Sequence, residues 1–332
     1  MKPMDQSRTF EKPIASLSLD ADNQWSYMKT HGDAGWESFP SYLDILVPRV
    51  LQFLKERDLS ITFFIVGQDA ALDKNRDALA QLSAAGHEIG NHSFHHEPWL
   101  HLRSEGEIES ELALAEEKIE RVTASRPVGF RGPGYSFSRN ILNVLKRRGY
   151  QYDASTFPTY IGPLARAYYF MTAKLSAEDA LQRKELFGTV RDGLRPLKPY
   201  RLQLDEGTLI EIPVTTMPLF KMPIHMSYLL YLSGFSRHLA LHYFQFAIRL
   251  CRLTGTAPSL LLHPLDFLGG DDVRELQFFP GMNIESKRKL EIVDELLRVF
   301  SQNFTIVNLQ RHAHEAALAP RLPVVKLKTS TA

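Results

Sequence analysis

Two short stretches of this chain carry residue types that could do chemistry together. His92-Ser93-Phe94-His95-His96 sets two imidazoles four residues apart, and Asp20-Ala21-Asp22 places two carboxylates at the end of an apolar run. Two ring nitrogens and one carboxylate oxygen can hold a divalent metal, and the second carboxylate stays free beside it. A hydrolase that activates water on a metal needs that set.

The elements that must position these groups follow from periodicity. Ile14–Leu19 reads as a first strand and Tyr42–Arg57 as an amphipathic helix. Ser60–Val66 reads as a buried strand, followed by a helix through about Ala70–Ala84. Gly86 closes that helix, and His87–Gly90 begins the strand that delivers the histidines. Glu105–Thr123 reads as a charged helix with Ile108, Leu112, Ala115 and Ile119 as its buried stripe. Val128–Phe130 (strand) and Arg139–Arg148 (helix) follow. Further strands are expected at Leu209–Val214, Ser259–Leu262 and Phe304–Val307, a helix at Ile284–Phe300 and a short one from His312. Strand–helix alternation of this kind argues for a parallel sheet or barrel. Asp20, Asp22, His92, Arg131 and His263 each lie just after the end of an expected strand. In a parallel barrel those ends share one face.

Composition frames the reading. The 332-residue chain is 44% hydrophobic, enough for a sizeable core, and fits one α/β barrel. Lys+Arg of 39 against Asp+Glu of 38 leaves no global field pointing to nucleic acid. The lone Cys251 rules out an intrachain disulfide and zinc-ribbon readings. No apolar signal segment precedes the first strand, so a cytoplasmic enzyme is expected.

Two further motifs complete the set: Arg131-Gly132-Pro133-Gly134-Tyr135 and Leu260-Leu261-Leu262-His263-Pro264. In their order from Ile14 to about Leu309, the four motifs resemble the polysaccharide deacetylase family (carbohydrate esterase family four). That resemblance implies a distorted (β/α)7-8 TIM-like barrel and a metal-dependent hydrolase removing an N-acetyl or N-formyl group from an amino sugar. It also implies Zn²⁺ or another divalent transition metal, held by Asp22, His92 and His96. Asp20 would be the general base, oriented by a bidentate contact from Arg131. His263 would protonate the leaving amine, and a backbone N–H of the Gly134-Tyr135 turn would receive the oxyanion. The family's commonest acidic pair is adjacent. Here Ala21 separates the two, a spacing that resembles a subset acting on atypical substrates. In an extended segment residues i and i+2 point the same way, so both carboxylates can face one site. His95 and Asp153 are read as supporting residues.

One domain is expected over 1–332, with insertions at about 160–208 and 217–256. Within the second, Arg237 interrupts 224–251 and leaves runs too short to span a bilayer. It reads as one or two packed helices and is a candidate for peripheral membrane contact. The tail from Pro320 reads as frayed, with Lys326 and Lys328 solvated. The expected partner is a carbohydrate, either an amino-sugar glycan or a lipid- or nucleotide-linked precursor. Trp25, Tyr27, Trp36, Trp99 and Tyr135 are candidates to stack on sugar faces. Hydrolysis of a cyclic amide or ureide, and a catalytically silent carbohydrate-binding barrel, stand as alternatives.

Overall fold

The alternation of the first strand sets up the whole site. The computed structural model describes residues 12–162, 173 and 190–327. In it β1 (Ile14–Asp20) turns Ala15, Leu17 and Leu19 into the main hydrophobic core. Ser16, Ser18 and Asp20 alternate with them and are also buried, against polar partners. Beyond β1 come α1 (Gln24–His31), α2 (Leu43–Lys55), β2 (Thr62–Ile65), α3 (Gly67–Ala71), α4 (Arg76–Ala84) and β3 (Glu88–Asn91). α5 (Glu105–Thr123), β4 (Gly129–Phe130), α6 (Arg139–Arg147), β5 (Tyr152–Asp153), β6 (Tyr200–Leu204) and β7 (Gly207–Glu211) follow. α7 (Met226–Phe235), α8 (Arg237–Thr254), β8 (Ser259–Leu262), α9 (Ser286–Asn303), β9 (Thr305–Val307), α10 (Leu309–Leu318) and β10 (Val324–Lys326) complete the described chain.

Among the described residues the strands form one sheet in the order β10-β6-β7-β5-β4-β3-β2-β1-β8, with β9 also on β1. Every pairing is parallel except the β6–β7 hairpin. Just past β7, Thr215 reaches β8: its N–H donates to the Ser259 carbonyl at 3.0 Å and its Oγ1 accepts from the Ser259 amide at 2.8 Å. One face of the strands packs on the outer helices. Phe64, Tyr152, Ile210 and Ile212 point the other way, against Leu309 and Ala313 of α10. The amide of Leu309 donates to Thr62 Oγ1 and that of Gln310 to Glu88 Oε2, so the first turn of α10 is tied to β2 and β3.

The structure departs from the sequence reading in three places. The expected helix over Ala70–Ala84 is broken at Leu72, where the backbone is extended, because Asn75 turns its amide back onto Asp69. Tyr200–Leu204, assigned to the first insertion, is β6 within the sheet; residues 163–172 and 174–189 of that insertion lie outside the described residues. The tail is not frayed throughout, since Val324–Lys326 pairs in parallel with β6; Lys326 is exposed. Lys328 lies outside the described residues. The second insertion contains two helices, α7 and α8, separated at Ser236, whose side chain caps α8 by accepting from the Leu239 amide.

Candidate metal centre

Asp22 follows β1 immediately, and the alternation of the strand continues through it. Ala21 donates its amide to the Phe64 carbonyl at 2.8 Å and buries its methyl in the outer core. Asp20 and Asp22 therefore turn to the opposite side together, as a spacer of one residue requires. The turn beyond is pinned by Asn23, whose side chain caps α1 and also accepts from the Tyr42 amide at 3.2 Å. Tyr42 Oη donates back to the Asp22 carbonyl at 2.7 Å.

His92 leaves the end of β3. Its Nδ1 donates to the Arg131 carbonyl at 2.6 Å, which fixes the tautomer and leaves the Nε2 lone pair free to face a ligand. His96 is brought alongside by a sharp loop in which Ser93 and His96 both take left-handed backbone, φ 62° and 52°. Non-glycine residues adopt it only when their surroundings hold them there. Asn91 Oδ1 takes the Ser93 amide and Ser93 Oγ the His96 amide.

Among the described residues Asp22, His92 and His96 form a group whose ligand atoms all lie within 4.8 Å of one another. Asp22 Oδ1 stands 3.3 Å from His92 Nε2 and 2.9 Å from His96 Nε2. It is fully buried yet makes no hydrogen bond of acceptable geometry. Two nitrogen lone pairs and an orphaned anionic oxygen converging on one point fit a divalent cation. Zinc–ligand bonds of about 2.0–2.1 Å in a tetrahedron set ligand atoms about 3.3 Å apart. Burial raises the Asp22 carboxyl, but the nearby His96 and His92 outweigh it and hold the group well below the ordinary carboxylate range.

Asp20 lies next to this group. Arg131, wholly buried, donates through Nη1 to Asp20 Oδ1 at 2.7 Å and to Ser18 Oγ at 2.9 Å, and through Nε to the Ala154 carbonyl at 2.9 Å. The expected bidentate contact is not made. One arm of the fork is spent on Ala154, and Nη2 has no partner. The guanidinium also lies over Phe64, 4.4 Å from the ring centre.

The Arg131–Tyr135 loop runs from β4. Gly134 and Tyr135 take consecutive left-handed conformations, φ 56° and 62°. The Tyr135 amide already donates to the Gly132 carbonyl at 3.0 Å. In this conformation the Tyr135 N–H is engaged within the turn. The Tyr135 ring stacks on Phe157 at 4.8 Å. Below the loop, Ser155 Oγ accepts from the Gly132 amide and donates to Asp153 Oδ1. Asp153 sits in register with Glu211 on β7; burial raises both carboxyls, and each keeps one oxygen without another partner. Asp153 is thus a buried brace for the loop.

His263 ends β8. Its Nδ1 lies 3.1 Å from Ser227 Oγ at the start of α7, and its amide donates to Asp266 Oδ2 at 2.7 Å. The His225 ring is 6.1 Å away and is pushed down to about 3 by burial and by the neighbouring His263. His95 turns outward to Glu111, 2.6 Å away, and takes no part in the group. Trp25 is buried, edge-on to His96, with Nε1 donating to Asp69, so it is unavailable to stack on a sugar. Sequence reasoning missed Asp69, Ser227 and Asp266. Asp69 holds the Asn23 and Trp25 side chains behind Asp22, and only Asn23, a helix-capping type, left any trace in the sequence.

The fold is α/β, and the buried Asp-His-His group is one that could hold a metal ion. The model of the polysaccharide deacetylase family matches residues 33–152. That stretch contains His92, His96 and Arg131; the structure brings Asp20 and Asp22 to them from outside it, and His263 follows β8, the neighbour of β1. Among curated relatives, the chain is 35% identical over 105 residues to the peptidoglycan-N-acetylmuramic acid deacetylase PdaA of Bacillus subtilis, covering 31% of this chain and 39% of that one. It is 26% identical over 170 residues to the peptidoglycan deacetylase of Helicobacter pylori, covering 51% and 53%. The matches thus span between two fifths and about half the length of these relatives. A solved Mycobacterium smegmatis protein, a polysaccharide deacetylase candidate, matches with a TM-score of 0.64 at 19% identity over 98% of this chain and 97% of its own, which shows a shared fold.

Proposed function

We propose that this chain is a metal-dependent hydrolase that removes an N-acyl group, chiefly acetyl, from an amino sugar of a glycan or its precursor. The carrying observation is the orphaned Asp22 Oδ1 between His92 Nε2 and His96 Nε2, beside a separate carboxylate, Asp20, clamped by Arg131. Relatives named as peptidoglycan, chitooligosaccharide and chitin deacetylases support the substrate class.

Asp22, His92 and His96 would hold the cation, and a two-nitrogen, one-oxygen donor set favours zinc. When bound, the ion polarises the amide carbonyl and brings the pKa of its water to about 7. Asp20 takes the proton of the attacking water on the carboxylate that Arg131 orients. With one oxygen committed to Arg131 Nη1, the other is the atom that accepts it. The Gly134 amide is the donor left for the oxyanion, a contribution of about 10²–10³ in rate for one such group. His263 gives its proton to the leaving amine from Nε2, while Nδ1 is oriented by Ser227. Ser227 and Asp266 thereby do for His263 what Arg131 does for Asp20.

Acetate release from chito-oligosaccharides tests the reading, measured on protein stripped with chelator and then reloaded with Zn²⁺. Release that falls on stripping and returns on reloading is the expected result. Release indifferent to chelator, or no acyl release from any amino-sugar substrate, contradicts it.

A further inference from the structure

Between Glu211 and Asp266 the chain contains no Asp or Glu, although it carries Lys221, Arg237, Arg249 and Arg252. In a protein with 39 basic and 38 acidic residues, that is a concentrated asymmetry. The same stretch builds the loop before α7, then α7 and α8. The inner faces of both helices pack into the core through residues such as Leu229, Phe244 and Ile248. The outer faces should then be polar, as on an ordinary surface helix.

They are not. Leu239, Phe246 and Leu253 recur every seven residues along α8 and are 51%, 47% and 82% exposed. That period puts them on one stripe of the helix, interleaved with the exposed His242 and Arg249. The preceding loop adds to this stripe. Leu219 and Lys221 are both held in left-handed backbone, φ 71° and 56°, by paired Met217–Met222 and Lys221–Met217 backbone bonds. A bulky residue in that conformation is strained, and here the strain presents Leu219 and Phe220 outward, 73% and 56% exposed. The Phe220 ring lies 6.3 Å from Phe246, so loop and helix form one surface.

We infer that this surface is a docking face for an anionic membrane. Charge complementarity selects the occupant. Arg237 is paired with Glu295, but every other charge of the stretch is positive, so two copies meeting through this face would oppose like charges. An anionic bilayer accepts both components, with Leu and Phe side chains entering the headgroup–acyl boundary and Arg249 meeting phosphates. Among the described residues no helix is long and apolar enough to cross a membrane, which leaves contact in the plane of the surface. The face also continues toward the metal centre. Tyr243 of α8 meets Tyr228 of α7 at 5.9 Å, Tyr228 meets His225 at 6.2 Å, and His225 meets His263. Docking would hold the site's His263 side near the bilayer.

Sedimentation of the full chain with vesicles tests this, using phosphatidylcholine alone or mixed with phosphatidylglycerol. The expected result is co-sedimentation with the mixed vesicles, weakened about tenfold or more by removing phosphatidylglycerol or raising salt. A Phe220→Ser, Phe246→Ser, Leu253→Ser triple variant should lose binding about tenfold or more while keeping the wild-type circular dichroism and metal content. Arg249→Glu should weaken binding with every apolar residue intact. Wild type left in the supernatant with both vesicles overturns the inference. So does undiminished binding by the folded triple variant, or a wild-type dimer in ultracentrifugation that the triple variant abolishes.

Discussion

Arg131 Nη1 and Asp20 Oδ1 lie 2.7 Å apart with neither side chain open to solvent beyond 6%. A buried pair of this kind is retained for geometry more than for stability, and its partners cannot be removed one at a time without cost. Arg131→Met should destabilise the protein by about 3–5 kcal/mol, because it leaves the Asp20 carboxylate buried and uncompensated. Adding Asp20→Asn should recover part of that loss. Urea unfolding of the two single variants and the double variant gives the coupling, and additive effects would mean that the pair does not act as a unit.

Asp69 ties the loop behind Asp22 and should leave a signature in the pH dependence of folding. Its Oδ1 accepts from Asn23, Trp25 and Asn75, while Oδ2 is buried without a donor. Burial outweighs the hydrogen bonds from Asn23 and Trp25 and lifts the carboxyl to about 7, from an ordinary value of 3.8. Between those values the folded state keeps a proton that the unfolded chain releases. Stability therefore falls as pH rises through that window and levels off above it. Asp69→Asn has no proton to lose, so its stability relative to wild type should improve from pH 4 to pH 7 by on the order of a few kcal/mol. Denaturation of the chelator-treated proteins across that range is the check; a constant difference would contradict it.

Gly134 is held where a side chain fits poorly. It sits at φ 56°, and a Cβ there would come 2.8 Å from Pro98 Cβ. Gly134→Ala should cost about 1–2 kcal/mol of stability and displace the Arg131–Tyr135 loop. If the Gly134 amide serves the oxyanion, kcat for acyl release should fall about tenfold or more with metal content unchanged. Unaltered kcat in a variant with the expected loss of stability would remove Gly134 from the chemistry.

Ser227 faces His263 Nδ1 from the start of α7. Ser227→Ala should lower kcat several-fold, with KM and metal content near wild type, because the ring loses its orienting partner. Comparison with Ser227→Thr separates this from a packing defect: the hydroxyl it restores should recover kcat, whereas a merely structural role would leave kcat tracking the unfolding midpoint in urea.

How far the sequence carries the site can be seen at Asp20 and Ser227. Asp20, Asp22, His92, Arg131 and His263 were legible because each follows an apolar run, and strand ends in a parallel sheet share a face. The one-residue spacing at Ala21 also foretold that both carboxylates would point one way. Ser227 and Asp69 were not legible, since neither belongs to a periodic or chemical pattern and each matters only through a partner distant in sequence. The bidentate Arg131 clamp failed for a similar reason: the Ala154 carbonyl that takes the Nε arm has no side-chain signature. β10 was missed because three residues after a proline, Val-Val-Lys, carry too little period to separate an edge strand from a tail. α10 was seen only in part, and its role against β2 and β3 depends on contacts that no local window contains.

The central claim is that Asp22 holds the ion while Asp20 moves the proton. It is tested most directly by measuring bound zinc and acyl release in parallel for Asp20→Asn and Asp22→Asn. Asp20→Asn should retain about one zinc per chain and lose about 10²–10⁴ in kcat, whereas Asp22→Asn should lose the zinc together with the activity. Zinc lost from Asp20→Asn but kept by Asp22→Asn, or wild-type release by Asp20→Asn, would contradict the account.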